Sequence, residues 1–370
     1  MKETNYHLAV QLRHELHAHP ELSNQERWTK ARLIEFLRQN APRLEIVDKD
    51  RWFYAVYRSG SDKPGIAFRA DFDAVPVEDQ CDAPYASTVP GVGHKCGHDG
   101  HSASLAALAL EIDQDGADRD VYFLFQHAEE TGDGALECTA LFREAQVGEI
   151  FGYHNRPGVP MGTVQVIDGV LNCASKGMII SYQGTPSHAS MPELGKNPAY
   201  AIAEIIRQLP DIAAPEKYCG LVLATIIQVD VGERAFGTQA SRGQLLLTIR
   251  GQYEKEMQKL QQSLERLAEQ QADIWGLELE ISFCDVFPST VCHKASNDKI
   301  RAACRRLEIP LRELTAPFRS SEDFGHYTKQ IPGAFFDIGS GEDNGELHTV
   351  SMNFPDEIIP VAVAVFRELI

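Results

Sequence analysis

The sequence has no excess of positive charge: 35 Lys and Arg face 53 Asp and Glu, a formal net charge of −18. With a pI near 5.2, this balance excludes a nucleic-acid backbone or an anionic membrane surface as partner. Paired cysteines are also missing. Cys81, Cys96, Cys138, Cys173, Cys219, Cys284, Cys292 and Cys304 are scattered with no CxxC, which argues against a disulfide framework or a zinc finger. No apolar run is long enough to span a bilayer, the strongest being LVLATIIQV at Leu221–Val229. The opening MKETNYHLAV carries polar and acidic residues where a secretory leader needs an apolar core. Internal repeats and low-complexity linkers are absent too. What remains is a cytoplasmic protein with reduced thiols, its 370 residues enough for two hydrophobic cores.

The hydrophobic pattern divides the chain in two. Leu8, Leu12 and Leu16 recur at helical spacing, followed by strand-like WFYAVY (Trp52–Tyr57), GIAFRADF (Gly65–Phe72) and VYFLFQHA (Val121–Ala128). Between the last two runs, Leu105, Leu108, Ala109 and Ile112 share one face of a helix expected to open at Ser102. Strand, loop, helix and strand in that order indicate an α/β domain with strands buried on both faces. From residue 174 the pattern becomes strand, helix, strand, strand, helix, strand. The long second helix runs through Met257, Leu260, Leu264 and Leu267. That βαββαβ order is a ferredoxin-like α+β unit. The expected architecture is a discontinuous α/β domain, 1–173 and 286–370, with an inserted domain at 174–285.

Metal-capable side chains concentrate in GVGHKCGHDGHSA, Gly91–Ala103. Alone, this loop is either a polar turn or part of a metal site. A thiolate beside a helix N-terminus has a lowered pKa, which favours Cys96 as a ligand, and thiolate with imidazole suits zinc or manganese. QHAEE (Gln126–Glu130) puts two carboxylates at the end of an apolar strand. Adjacent side chains diverge there, so one can hold an ion while the other faces a water, the division that metal-assisted hydrolysis requires. His154 in GYHNRPG and His348 in ELHT are further candidates, each at an element boundary of the α/β part, although either one alone reads as a structural histidine. RHELHAH (Arg13–His19) spaces His14 and His17 two residues apart rather than the three of HExxH, and reads as a solvated helix face.

With LHAHPELSNQE, RADFDAVPVED, HKCGHDGH, QHAEE, GYHNRPG, GTPSHASMPELGKNP, SSEDFGHY and ELHT in this order, the chain resembles the hippurate hydrolases, auxin-conjugate amidohydrolases and N-acyl-L-amino acid amidohydrolases among the co-catalytic metallopeptidases. The resemblance runs almost end to end. It implies a two-metal centre with ligands Cys96, His98, Glu130, His154 and His348, Cys96 bridging the ions. The metals would be zinc or manganese, with cobalt or nickel as in vitro substitutes. It implies Glu129 as general base, and His188 as oxyanion donor to a neighbouring subunit's site, which makes the insert a lid and the contact of a homodimer. Arg250 would meet the carboxylate of a small N-acyl amino acid substrate. Where the wider family has His-x-Asp, this chain has Asp71-Phe72-Asp73. Asp73 and Asp99 are then expected to orient ligands from behind, and Asp71, His94 and His101 have no assigned part. Relatives commonly have His-Val-Trp-Pro at His154-Asn155-Arg156-Pro157, which implies a more polar pocket wall here. The implied activity is hydrolysis of N-acyl amino acids; a dipeptidase and a silent metal or amino-acid binder are the alternatives.

Overall fold

The continuous apolar runs of the first half become strands buried on both faces. The computed structural model describes residues 1–370, which form two compact units. The first comprises Met1–Leu171, Thr290–Pro317 and Asp323–Ile370; the second comprises Asn172–Ser289 and Phe318–Glu322. The hydrophobic pattern gives no sign that Phe318–Glu322 returns to the second unit.

In chain order the strands are β1 (Glu45–Asp48), β2 (Phe53–Tyr57), β3 (Gly65–Asp71), β4 (Val121–Gln126), β5 (Val147–Arg156), β6 (Val164–Val166) and β7 (Gly169–Asn172). Then come β8 (Ala174–Gln183), β9 (Val222–Val231), β10 (Arg242–Gly251), β11 (Glu278–Phe287), β12 (Thr290–Cys292), β13 (Leu311–Glu313) and β14 (Gly333–Gly339). The first unit is built on a mixed sheet ordered β1-β2-β4-β3-β5-β14-β6-β13. Its centre, β4-β3-β5-β14, is parallel, and every residue of β3, β4 and β14 is buried. Parallel strands covered on both faces read as unbroken apolar runs. Their carboxyl ends bring Asp71, Gln126 and His154 close together, the edge at which such sheets place ligand sites.

Helix His98–Asp115 packs against β3, and against the helices Glu3–Ala18 and Ile358–Leu369. It starts four residues before Ser102, so the expected boundary is corrected: His98, Asp99 and His101 lie in the first turn rather than in a loop. Gly97 makes this entry possible. Its φ is +101°, a left-handed conformation open to glycine, and a Cβ there would stand 2.3 Å from Asn155 Oδ1. The solvated face expected for Arg13–His19 is also corrected. Arg13 and His17 are buried, because Asp99 Oδ2 accepts from both: His17 Nδ1 lies at 2.8 Å and Arg13 Nη1 at 3.2 Å.

Beneath the site lies a buried polar knot. Arg69 donates to Gln126 Oε1 at 2.7 Å, Asp71 Oδ2 at 2.7 Å and Asp323 Oδ1 at 2.8 Å. Gln126 Nε2 and the Ala135 amide also donate to Asp323, and Tyr327 donates to Gln126. An Arg-x-Asp in a fully buried strand needs such partners, since an unpaired buried charge is not tolerated.

In the second unit all strand pairs are antiparallel, in the order β11-β8-β10-β9. Helices Ala199–Ile212 and Glu254–Trp275 supply its core: Met257, Leu260, Leu264 and Leu267 are buried in one cluster with Ile180, Leu245 and Leu247. Asn197 Oδ1 accepts the Ala199 N–H at 2.9 Å at the entry to the first of these helices.

Asp323→Ala removes one of the two carboxylates paired with the buried Arg69 guanidinium and takes the acceptor from Gln126 Nε2 and the Ala135 N–H. Breaking such a pair from one side costs about 3–5 kcal/mol, so the urea midpoint should fall markedly. An unchanged midpoint contradicts the knot's structural role.

Candidate metal centre

The five expected ligands come from separate pieces of the first unit and meet at one end of its sheet. Cys96, His98 and His154 present donor atoms all within 4.8 Å of one another, and so do Cys96, Glu130 and His348. The Cys96 sulfur is common to both groups. Glu129 joins through a third group with His98 and Glu130.

His98 and His154 are each aimed by what holds the other ring nitrogen. His98 Nδ1–H donates to Asp73 Oδ1 at 3.0 Å and lies 3.1 Å from the Asp73 carbonyl. Its Nε2 is thereby turned inward, buried and without a hydrogen-bond partner. His154 Nδ1–H donates to the Asn155 carbonyl at 2.7 Å, and its Nε2 stands 3.3 Å from Cys96 Sγ. His348 Nε2 is 3.3 Å from Glu130 Oε1, another buried atom with no hydrogen bond. His98 Nε2 lies 3.7 Å from Glu130 Oε1 and 4.0 Å from Glu129 Oε2.

These separations test whether a cation fits. Ligands about 2.0–2.3 Å from one tetrahedral ion stand about 3.3–3.8 Å apart. His98 Nε2 and Glu130 Oε1, buried and crowded to such a distance without a hydrogen bond, have a missing partner at their focus. A soft thiolate among imidazoles and a carboxylate matches the donor chemistry of borderline divalent metals. The residues fit the group.

The two glutamates correct the expectation that they diverge. They sit in a turn, not in the strand, with Ala128 in the left-handed region at φ +47°, and both carboxylates approach His98 Nε2. Glu26 Oε1 accepts the Ala128 N–H at 2.8 Å, and Asp73 Oδ2 accepts the Glu130 N–H at 3.0 Å, which pins the turn. Such strain persists only where surroundings fix it.

The electrostatics differ from one candidate ligand to the next. Burial, and then the Glu130 carboxylate, push the Cys96 thiol up, so the lowered value expected from the helix terminus is corrected. Burial opposes a charge on His98, yet Asp71 and Cys96 outweigh it and raise its pKa. Contacts with Cys96 and Glu130 hold His348 at about 10. Burial, followed by the neighbouring His101, keeps His154 low and therefore neutral.

Asp73 reaches two candidates, as described. Asp99 bonds outward to His17 and Arg13, and its Oδ1 has no partner. Sequence reasoning left Asp71 and His101 aside, but Asp71 Oδ1 accepts from His101 Nδ1 at 2.7 Å directly behind the ligands. His101 Nε2 faces Asn155 Oδ1 at 2.7 Å, so Asn155 is packed inward and adds no polarity to a pocket wall. The signal for this pair is RADFD on an otherwise apolar strand. His94 is buried with neither nitrogen bonded, and burial lowers it to about 4, so its imidazole is neutral. In the second unit, His188 Nδ1 accepts the Ser190 N–H at 3.1 Å and lies 2.7 Å from Ser190 Oγ. Arg250 Nη1 donates to Ser321 Oγ at 2.7 Å and to the Arg319 carbonyl at 3.1 Å.

Comparisons with known proteins agree with this chemistry. An N-acetylcysteine deacetylase of Bacillus subtilis (strain 168) is 30% identical over 97% of this chain and 95% of its own length. An N-acetyldiaminopimelate deacetylase of Exiguobacterium sibiricum is 29% identical over 98% of this chain and 99% of its own. The crystal structure of a dinuclear metal-binding peptidase of the M20 family from Bacillus subtilis superposes with a TM-score of 0.83. It is 29% identical and covers 100% of this chain and 98% of that one. The profile of peptidase family M20/M25/M40 matches residues 67–370. The chain belongs to peptidase family M20/M25/M40.

Proposed function

We infer that the protein hydrolyses the amide bond of N-acyl amino acids, releasing a carboxylate and a free amino acid. The observation that carries this reading is the pair of donor groups sharing Cys96, with the Glu129 carboxylate beside them. We assign Cys96, His98, Glu130, His154 and His348 as ligands of two divalent ions, zinc or manganese, with cobalt and nickel able to replace them in vitro. When bound, the ions supply Lewis-acid polarisation of the scissile carbonyl and acidify the attacking water.

The protein's own groups do the rest. Glu129 accepts the proton of the attacking water as its oxygen bonds to the acyl carbon. It then delivers that proton to the amine nitrogen as the C–N bond breaks, so the base of the first step is the acid of the second. Asp73 keeps His98 and the Glu130 backbone in register, and Asp99 anchors the helix turn that carries His98.

His188 is assigned as the donor to the tetrahedral oxyanion in a neighbouring subunit's site. Its Nδ1 accepts from Ser190, which supports a neutral tautomer with the proton on Nε2, free to donate. Arg250 is assigned to the substrate carboxylate; its Nη1 contacts support a fork held in one orientation. The second unit has the strand order of a ferredoxin-like domain, and we assign it as the inserted lid and homodimer contact. Edge strand β9 exposes Ile226, Ile227 and Val229, which supports pairing there. A cytoplasmic setting is part of the proposal, supported by eight cysteines that remain thiols. No helix is long and apolar enough to cross a membrane.

Glu129→Gln should lower kcat by about 10²–10⁴-fold while metal content stays near that of the parent; full activity sinks the assignment. His188→Ala should lower kcat by about 10²–10³-fold with metal content again unchanged, and an unaltered kcat removes His188 from the reaction. On a panel of N-acetyl, N-benzoyl and dipeptide substrates, turnover should be confined to the acylated amino acids. Preferential cleavage of dipeptides with a free amine would replace this reading with a dipeptidase, and no turnover at all with a binding protein.

A further inference from the structure

We propose that Lys95 is a positioning residue for His348, and that its ammonium group governs the occupancy of one cation position and not the other. The inference rests on the ligand assignment above.

His348 has the least support of the five. It lies between β14 and the last helix in a stretch without regular structure, its side chain half exposed and its φ at +62°. Neither a ladder nor a core fixes such a residue, so individual hydrogen bonds decide its place. The His348 N–H donates to the Lys95 carbonyl at 2.7 Å, and the Gln80 N–H donates to the Val350 carbonyl at 3.1 Å. Lys95 Nζ donates to the Met352 carbonyl at 2.9 Å. One residue, adjacent to Cys96, therefore holds the His348 stretch at both ends, through its carbonyl and through its ammonium.

The ammonium also pairs with Asp79, the neighbour of Gln80, so it joins the second tie to the third. Lys95 is fully buried. Asp79 is held further by His17 Nε2 at 3.2 Å and by the backbone N–H groups of Cys81 at 2.9 Å and Ser87 at 2.7 Å. A lysine is almost never fully buried unless its charge is used. Here the charge links the Asp79–Gln80 segment to the far end of the His348 stretch. Cys96 is the neighbour of Lys95, but His98 and His154 of its group are carried by helix His98–Asp115 and strand β5, and the ammonium bonds only Asp79 and the Met352 carbonyl. Removing the ammonium should weaken the group containing His348 and spare the group containing His154.

The test uses full-length protein loaded with manganese or zinc, challenged with chelators of graded affinity, with ions per chain counted by elemental analysis. His348→Ala serves as the benchmark for loss of one ion. Lys95→Met should keep one ion at parental affinity and bind the other about 10–100-fold more weakly, matching the benchmark's order of loss. Asp79→Asn should give the same pattern, and it decides the matter if Lys95→Met does not fold. Both ions at parental affinity, or both lost together, overturn the proposal. If His348→Ala itself retains both ions, the ligand assignment falls and the proposal with it. If the benchmark loses one ion and the Lys95 and Asp79 variants lose none, only the role of Lys95 falls.

Discussion

The arrangement depends on one buried carboxylate. Asp73 accepts from His98 through one oxygen and from the Glu130 backbone through the other, where Ser23 Oγ joins at 2.8 Å. A helix turn and a strand-end turn, 25 and 57 residues away in sequence, are thereby fixed relative to one another. If either bond is lost, His98 Nε2 and the paired glutamates no longer share a focus. Asp73 can do this because it sits just past the end of β3, in the layer where the parallel strands finish. A hydrogen bond donated to a carboxylate sets both the direction and the basicity of a ligating imidazole.

Around that bond the fold supplies three further restraints, each answering a different physical problem. The Arg69–Asp323–Gln126 knot neutralises charge below the strand ends. The Asp71–His101 pair fills the space behind His154, with Asn155 closing against Gly97. The Arg13–Asp99–His17–Asp79–Lys95 chain connects the first helix to both sides of Cys96. Among the buried polar atoms left without hydrogen bonds, His98 Nε2 and Glu130 Oε1 stand at the site itself. Candidate ligand atoms left open, on side chains and backbone held by hydrogen bonds, are what a preorganised cation site requires.

Much of this was legible in the sequence. The α/β alternation and the helical spacing of the second unit's core follow from periodicity, and the grouping of HKCGH, QHAEE, GYHN and ELHT in one centre is what the family resemblance implies. The supporting polar residues were not legible. His17 on an early helix and Lys95 inside the histidine-rich loop look solvated, because periodicity reports apolar faces and cannot show which charges will be paired in the interior. The turn at Ala128 escaped for a related reason. A left-handed alanine has no sequence signature, so the two glutamates were expected to diverge as in a strand. Asp71 was the one missed residue with a usable signal, as a charge in an otherwise apolar buried run demands a partner.

The central claim is that two divalent cations share the Cys96 sulfur. Anomalous diffraction from crystals grown with zinc, collected on both sides of its absorption edge, tests it most directly. The account predicts two peaks, each about 2.3 Å from Cys96 Sγ, one adjoining His154 and the other adjoining His348 and Glu130. A single peak, or peaks away from Cys96, would contradict it.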